Sequence, residues 1–242
     1  MHTYSIDYKS KEGKNLFRNR EKVVGELIQY PNNPPTFRFK GDLSALMDGN
    51  RPRVAIIGTR DMSAQGKEYT LQIVSALAEW TDKPVIISGL AFGIDAIAHR
   101  AALHAGLPTV AVVATGLDKV YPYCHTGLAE DITSSEGSGI LTQFPDKTEP
   151  LAFNFLYRNR TLALLCDAVI VVESKTKGGA MVTAKLANDF DIPVYAVPGR
   201  PDDIRSRGCN ELIHDKVAEP LFDFEELKHS FFIGDTGAWK NF

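Results

Sequence analysis

Four short runs of wholly apolar, largely β-branched residues punctuate the middle of the chain. They are Val54–Ile57 before Gly58-Thr59-Arg60, Val85–Ile87 before Ser88-Gly89-Leu90, Val110–Val113 before Ala114-Thr115-Gly116, and Val169–Val172 before Glu173 and the loop to Gly178-Gly179-Ala180. Apolar runs of this kind predict parallel strands covered on both faces. Helical periods fill the gaps between them. Leu71, Val74, Leu77 and Ala78 share one face of a helix that Ser63 can cap and that runs to Trp80. Ile94, Ile97, Ala98, Ala101 and Ala102 mark a second helix, which follows Gly93 and stops at Gly106. Further helices are expected over 158–166 and 180–190, the latter ahead of a strand over 193–197. Strands alternating with helices predict an α/β fold with a doubly wound, mostly parallel sheet.

The flanks are less regular. Tyr30-Pro31-Asn32-Asn33-Pro34-Pro35 is a breaker cluster that reads as a loop. Thr36 to Lys40 alternates apolar and polar positions and predicts a short edge strand, closed by Gly41-Asp42, with one helical turn over Leu43 to Leu46. Phe222 to Leu227 can start a helix, and Gly234-Asp235-Thr236-Gly237 reads as flexible. The expected division is a lead-in over 1–50, a core over 51–220 and a tail over 221–242.

Composition narrows the class. The 242 residues are 44% hydrophobic and 24% charged, ordinary values for a globular protein. No apolar run reaches the ~18 residues that span a bilayer, and the N-terminus lacks a signal-peptide layout. Cys124, Cys166 and Cys209 are widely spaced and odd in number, which fits a reducing cytoplasm and supports neither a disulfide frame nor a metal site. A net charge of −3 means that any polyanion site must be a local patch.

The loops hold the candidate chemistry. In open α/β sheets ligands bind where strand C-terminal ends meet loops, and glycine lets backbone amides approach a phosphate. Arg60 offers a fork suited to phosphate, with Gly58 and Thr59 in the turn before it; the alternative is a solvated arginine in an ordinary turn. Ser88, Gly89 and Gly93 leave the next helix N-terminus open to an anion. Asp95 and His99 sit one turn apart, and a helix-stabilising pair is favoured over catalysis because no nucleophile is evident nearby. Phe153-Asn154-Phe155-Leu156-Tyr157-Arg158-Asn159-Arg160 interleaves rings with arginines, as single-stranded nucleic acid sites do, or else is a core segment with its arginines in water. Lys175, Lys177, Gly178 and Gly179 form a further anion cradle. No P-loop, no nucleophile elbow and no Gly-x-Gly-x-x-Gly turn is present, so P-loop ATP hydrolysis, α/β-hydrolase chemistry and ordinary NAD binding are disfavoured. No catalytic residue, metal or cofactor is assigned.

Taken in order, these segments resemble the DNA-processing protein A (DprA, or Smf) family from about Tyr30 to Ala218. The matches include Phe39-Lys40-Gly41-Asp42-Leu43, Gly58-Thr59-Arg60, Ser88-Gly89-Leu90-Ala91 with Gly93-Ile94-Asp95, Thr115-Gly116-Leu117-Asp118 with Tyr121-Pro122, and Arg158-Asn159-Arg160. Gly179-Ala180-Met181-Val182-Thr183-Ala184, Val197-Pro198-Gly199 and Gly208-Cys209-Asn210-Glu211-Leu212-Ile213 complete the series. The resemblance implies an extended Rossmann-like, three-layer domain that binds single-stranded DNA without turnover, in natural transformation. It further implies protection of incoming strands, loading of the RecA recombinase, and a homodimer. Carried onto matching positions, it makes Arg60 a DNA-phosphate ligand, with Arg158, Arg160 and the Lys175 to Gly179 loop completing a basic pocket. Thr115, Gly116, Phe155 and Asn159 join the candidate set. The chain departs from the family at Phe92, where arginine is frequent, and at Gln143, where a carboxylate is usual. The family's N-terminal helical domain is expected only as a remnant, and no winged-helix domain is expected after Pro220. Two other readings stay open: a nucleoside-monophosphate phosphoribohydrolase-like enzyme, disfavoured by the absence of its Pro-Gly-Gly-x-Gly-Thr loop, and a module that binds a small nucleotide.

Overall fold

The computed structural model describes residues 4–18, 36–224 and 227. The breaker cluster over 30–35 and the Gly234–Gly237 segment lie outside the described residues. Among the described residues nine strands form one sheet: β1 (Tyr4–Asp7), β2 (Thr36–Gly41), β3 (Arg53–Ile57), β4 (Val85–Ser88), β5 (Thr109–Val112), β6 (Gly139–Thr142), β7 (Ala168–Val171), β8 (Val194–Ala196) and β9 (Glu219–Pro220). Their order is β1-β2-β6-β5-β4-β3-β7-β8-β9. From β6 to β9 all pairings are parallel, and β1 and β2 add an antiparallel wing. The predicted edge strand is therefore interior, since β2 is flanked by β6 and by β1. Phe37 on β2 is fully buried, which suits a covered position.

The helices are α1 (Lys11–Leu16), α2 (Ser44–Met47), α3 (Ala64–Ala78), α4 (Ile94–His104), α5 (Thr126–Ser134), α6 (Ala152–Leu165), α7 (Gly179–Asp189) and α8 (Arg207–His214). Strand side chains alternate between faces, and the packing follows that parity. Val54, Ile56, Ile86 and Ile170 pack against α3 and α4, with Ala111 and Ile140 against α5. Ala55, Ile57, Val85, Ile87, Val169 and Val171 pack on the other side, with buried residues of α6, α7 and α8. The result is three layers, as expected. Ser63 caps α3 by accepting from Gly66 N at 2.9 Å, and Gly106 ends α4 in the left-handed region at φ +67°. Leu71 is exposed, because the buried face of α3 runs through Thr70, Ile73, Val74 and Leu77 instead.

Arg53 ties the antiparallel wing to the core. Its side chain is fully buried and donates to the carbonyls of Leu16 (2.5 Å) and Asn15 (3.1 Å), to Leu46 O, and to Leu165 O (3.5 Å). One guanidinium thus holds the C-terminal ends of α1, α2 and α6. Among the described residues no helix is long and apolar enough to cross a membrane.

Candidate functional site

The chain runs outward from β3 through β4, β5 and β6, then returns to place β7 on the other side of β3. Loops after β3 and β7 therefore leave toward opposite helical layers, opening the crevice where ligands bind in such sheets. The two loops touch directly, with Thr59 N donating to Glu173 O at 2.7 Å. Glu173, on the β7 side, is buried and accepts from Ser63 N (2.9 Å) and Ser63 Oγ. Its carboxylate thus fixes the start of α3, where negative charge is favoured. The β3 loop also abuts α4: Ile94 N donates to Thr59 O at 3.3 Å, and Gly93 at φ +75° supplies the bend.

Arg60 projects from this junction and is exposed. Its guanidinium lies 5.2 Å from the Phe155 ring centroid, and that of Arg158 lies 5.6 Å from the same ring. Tyr121 meets Phe155 edge-on at 5.9 Å. An exposed guanidinium on the rim and a buried one beneath it thus flank the Phe155 ring, with Tyr121 beside it, a geometry suited to a phosphate and an unstacked base.

Beneath them lies a buried polar layer. Arg158 Nη1 donates to Gly89 O (2.6 Å) and Val112 O (2.7 Å), and its Nε donates to Asn159 Oδ1 (3.1 Å). Asp95 faces Arg158, and its carboxylate accepts from Ala91 N at 3.3 Å. Burial pushes the Asp95 carboxyl above its usual range, although the Arg158 charge opposes this. Burial likewise lowers Arg158 to about 10, opposed by Asp95. His99 pairs with Thr109 (2.8 Å) and not with Asp95; its Nε2 is buried without a partner among the described residues, and burial lowers its pKa to about 3. The expected Asp95–His99 pair does not form: His99 bonds Thr109, while the Asp95 carboxylate accepts from Ala91 N and feels the Arg158 charge.

The candidate residues divide accordingly. Thr59, Arg60, Phe155, Lys175, Lys177, Gly178 and Gly179 lie at least partly open to solvent around the crevice. Ser88, Gly89, Thr115, Gly116, Arg158 and Asn159 are buried beneath it. Ser88 Oγ is spent on Ile56 O (2.6 Å), Gly116 N on Thr148 O (3.4 Å) and Asn159 Nδ2 on Gly179 O (3.4 Å). These residues lie below the rim and shape it from there. A Cβ on Gly89 would fall 2.4 Å from Arg158 Nη1, so that glycine makes room for the arginine. Arg160 is carried away from the cluster: it sits 5.2 Å over Tyr157, which lies nearly opposite Phe155 around α6. Gly58 is half-buried against Ile94.

Sequence reasoning missed Tyr121 as a ring of the site, and it counted Phe92 only as a lost charge. Phe92 is exposed on the β4 loop and meets His125 edge-on at 5.2 Å. The available signal was aromatic residues in loops without periodicity, as in Tyr121-Pro122-Tyr123.

The model of the family DNA recombination-mediator protein A matches residues 15–231. Protein Smf of Synechocystis is 40% identical over 190 residues, covering 78% of this chain and 47% of that protein. DNA processing protein DprA of Streptococcus pneumoniae is 37% identical over 190 residues, covering 78% of this chain and 64% of that protein. The chain thus spans about half to two thirds of the length of these curated relatives. The X-ray structure of the Streptococcus pneumoniae protein superposes with a TM-score of 0.79 at 31% identity, covering 96% of this chain and 75% of that one. DNA processing protein A of Helicobacter pylori, a structure reported for its single-stranded DNA binding mode, gives a TM-score of 0.76 at 27% identity, with 95% of each chain covered.

Proposed function

The chain belongs to the DNA recombination-mediator protein A family, and from that premise we propose that its crevice captures single-stranded DNA. The observation that carries this reading is the Arg60–Phe155–Arg158 cluster with Tyr121 beside it. An exposed guanidinium takes a backbone phosphate, while the rings take unstacked bases of any sequence. Binding is then steeply salt-dependent and indifferent to base order. No catalytic step is needed, since the buried Asp95 and His99 are committed to structural partners. By the same reading the protein works in the cytoplasm, acts as a homodimer and delivers its strand to a RecA-type recombinase; family membership supports these roles.

Fluorescence anisotropy of labelled oligothymidine across a salt series tests the site. Arg60→Ala is expected to weaken binding about tenfold, equally for oligothymidine and mixed sequence, and to flatten the log K against log salt slope by about 0.7. Unchanged affinity overturns the assignment. Phe155→Leu keeps an apolar side chain but removes the π face. It should weaken binding by about five- to tenfold while leaving the slope in place, because a lost stack releases no counterion. Calorimetry against mononucleotides supplies the contrast, with heat expected from the strand alone.

A further inference from the structure

Beside Arg60 the chain carries an anion of its own. Asp61 is exposed, and its two carboxylate oxygens engage two cations from different loops: Lys175 Nζ at 3.3 Å and Arg205 Nη2 at 3.3 Å. Lys175 belongs to the β7 loop and Arg205 to the segment between β8 and α8. The backbone fixes this meeting point. Ser174 N donates to Arg205 O at 2.7 Å, and Gly208 N donates to Ser174 O at 2.7 Å. Arg205 Nε donates to the Asp61 main-chain carbonyl at 2.7 Å, so the guanidinium is held even without the Asp61 side chain. All three side chains keep contact with solvent, at 45%, 33% and 60% exposure for Lys175, Arg205 and Asp61. Both cations hold the Asp61 carboxyl below its usual range, with the Arg205 hydrogen bond the largest cause.

We propose that Lys175 and Arg205 form a second phosphodiester subsite next to Arg60, which the Asp61 carboxylate fills as a phosphate stand-in until a strand displaces it. This rests on the reading of the crevice as a single-strand site. A carboxylate and a phosphate offer the same paired oxygens to a guanidinium fork. An exposed ion pair is weak, so exchange for a phosphate costs little. Adjacent Cα atoms lie about 3.8 Å apart, so Asp61 follows Arg60 directly along the rim. The chain thereby restrains its own affinity: each captured strand must first evict an internal competitor.

Asp61→Asn keeps the shape and the main-chain carbonyl but removes the charge. In the anisotropy assay it is expected to raise affinity for oligothymidine roughly fivefold, the size of one unit charge removed at contact distance in water. The salt slope should steepen by about 0.7 for each freed cation that meets a phosphate. Asp82→Asn, on the loop before β4 at the opposite end of the sheet, makes the same net-charge change and should do neither. Adding Lys175→Gln and Arg205→Gln to Asp61→Asn should cancel the gain. Wild-type binding with no gain in Asp61→Asn, or an equal gain in Asp82→Asn, overturns the subsite and leaves the crevice reading standing. Absence of binding by both wild type and Asp61→Asn overturns both. Circular dichroism confirms folding of each variant.

Discussion

Arg158→Met is expected to lower the unfolding free energy by about 3–5 kcal/mol at neutral pH, and to remove strand binding with it. The methionine leaves the Asp95 carboxylate buried without the nearby Arg158 charge and orphans the carbonyls of Gly89 and Val112, and an uncompensated buried charge costs that much. The defect should depend on pH with a definite sign. In the native protein the Asp95 carboxyl already lies above its ordinary value because of burial, and Arg158 is the charge that restrains the rise. Without that charge the folded-state value climbs further. A group with a raised folded-state pKa contributes stability below its unfolded value and loses it as pH rises through the folded one. The deficit of Arg158→Met relative to wild type should therefore shrink on acidification from about pH 7 to about pH 5. Urea unfolding at both pH values measures this; an equal deficit at each means that Asp95 is not the source. Asp95→Asn in the Arg158→Met background should recover part of the loss at neutral pH.

Gly93→Val is expected to cost about 3–5 kcal/mol, the sum of a strained backbone and an overpacked contact. Gly93 stands at φ +75° and ψ −128°, a region essentially closed to residues with a β-carbon. A Cβ there would sit 2.2 Å from Thr59 O and 2.8 Å from Arg60 O. Both obstacles are backbone, so relief must come by moving the loop that carries Arg60. The variant should unfold at lower urea and, where still folded, bind strands more weakly than its loss of stability explains. Gly93→Ala should show the same pattern at reduced size. Full stability in Gly93→Val would mean that the loop and α4 are not in contact.

The fold was legible wherever burial on both faces forced a continuous apolar run. Val54–Ile57, Val85–Ile87, Val110–Val113 and Val169–Val172 each mark a parallel strand within a residue or two. β6 escaped because Gly139-Ile140-Leu141-Thr142 has only two large apolar residues, and β1 because Tyr4-Ser5-Ile6-Asp7 is half polar. Both owe their place to partners distant in sequence, which no local period reports. For the site, Arg60, exposed in its loop, and Phe155, half-buried on α6, could be picked out from charge and aromaticity. The depth of Arg158 could not. Its sequence neighbours are polar and aromatic, and it is buried because Gly89 leaves a gap and Asp95 supplies a counter-charge from another helix. Arg205 was invisible for the related reason that its partner, Asp61, lies far away along the chain.

The sealed guanidinium of Arg53 limits how far the molecule can be pared down. An engineer seeking a minimal version that starts at the first parallel strand would discard the carbonyls of Asn15, Leu16 and Leu46 and strip the buried cation of three of its acceptors, Leu165 O staying behind. The arginine would have to become aliphatic in the same step, so the antiparallel wing and that single codon can be removed only together.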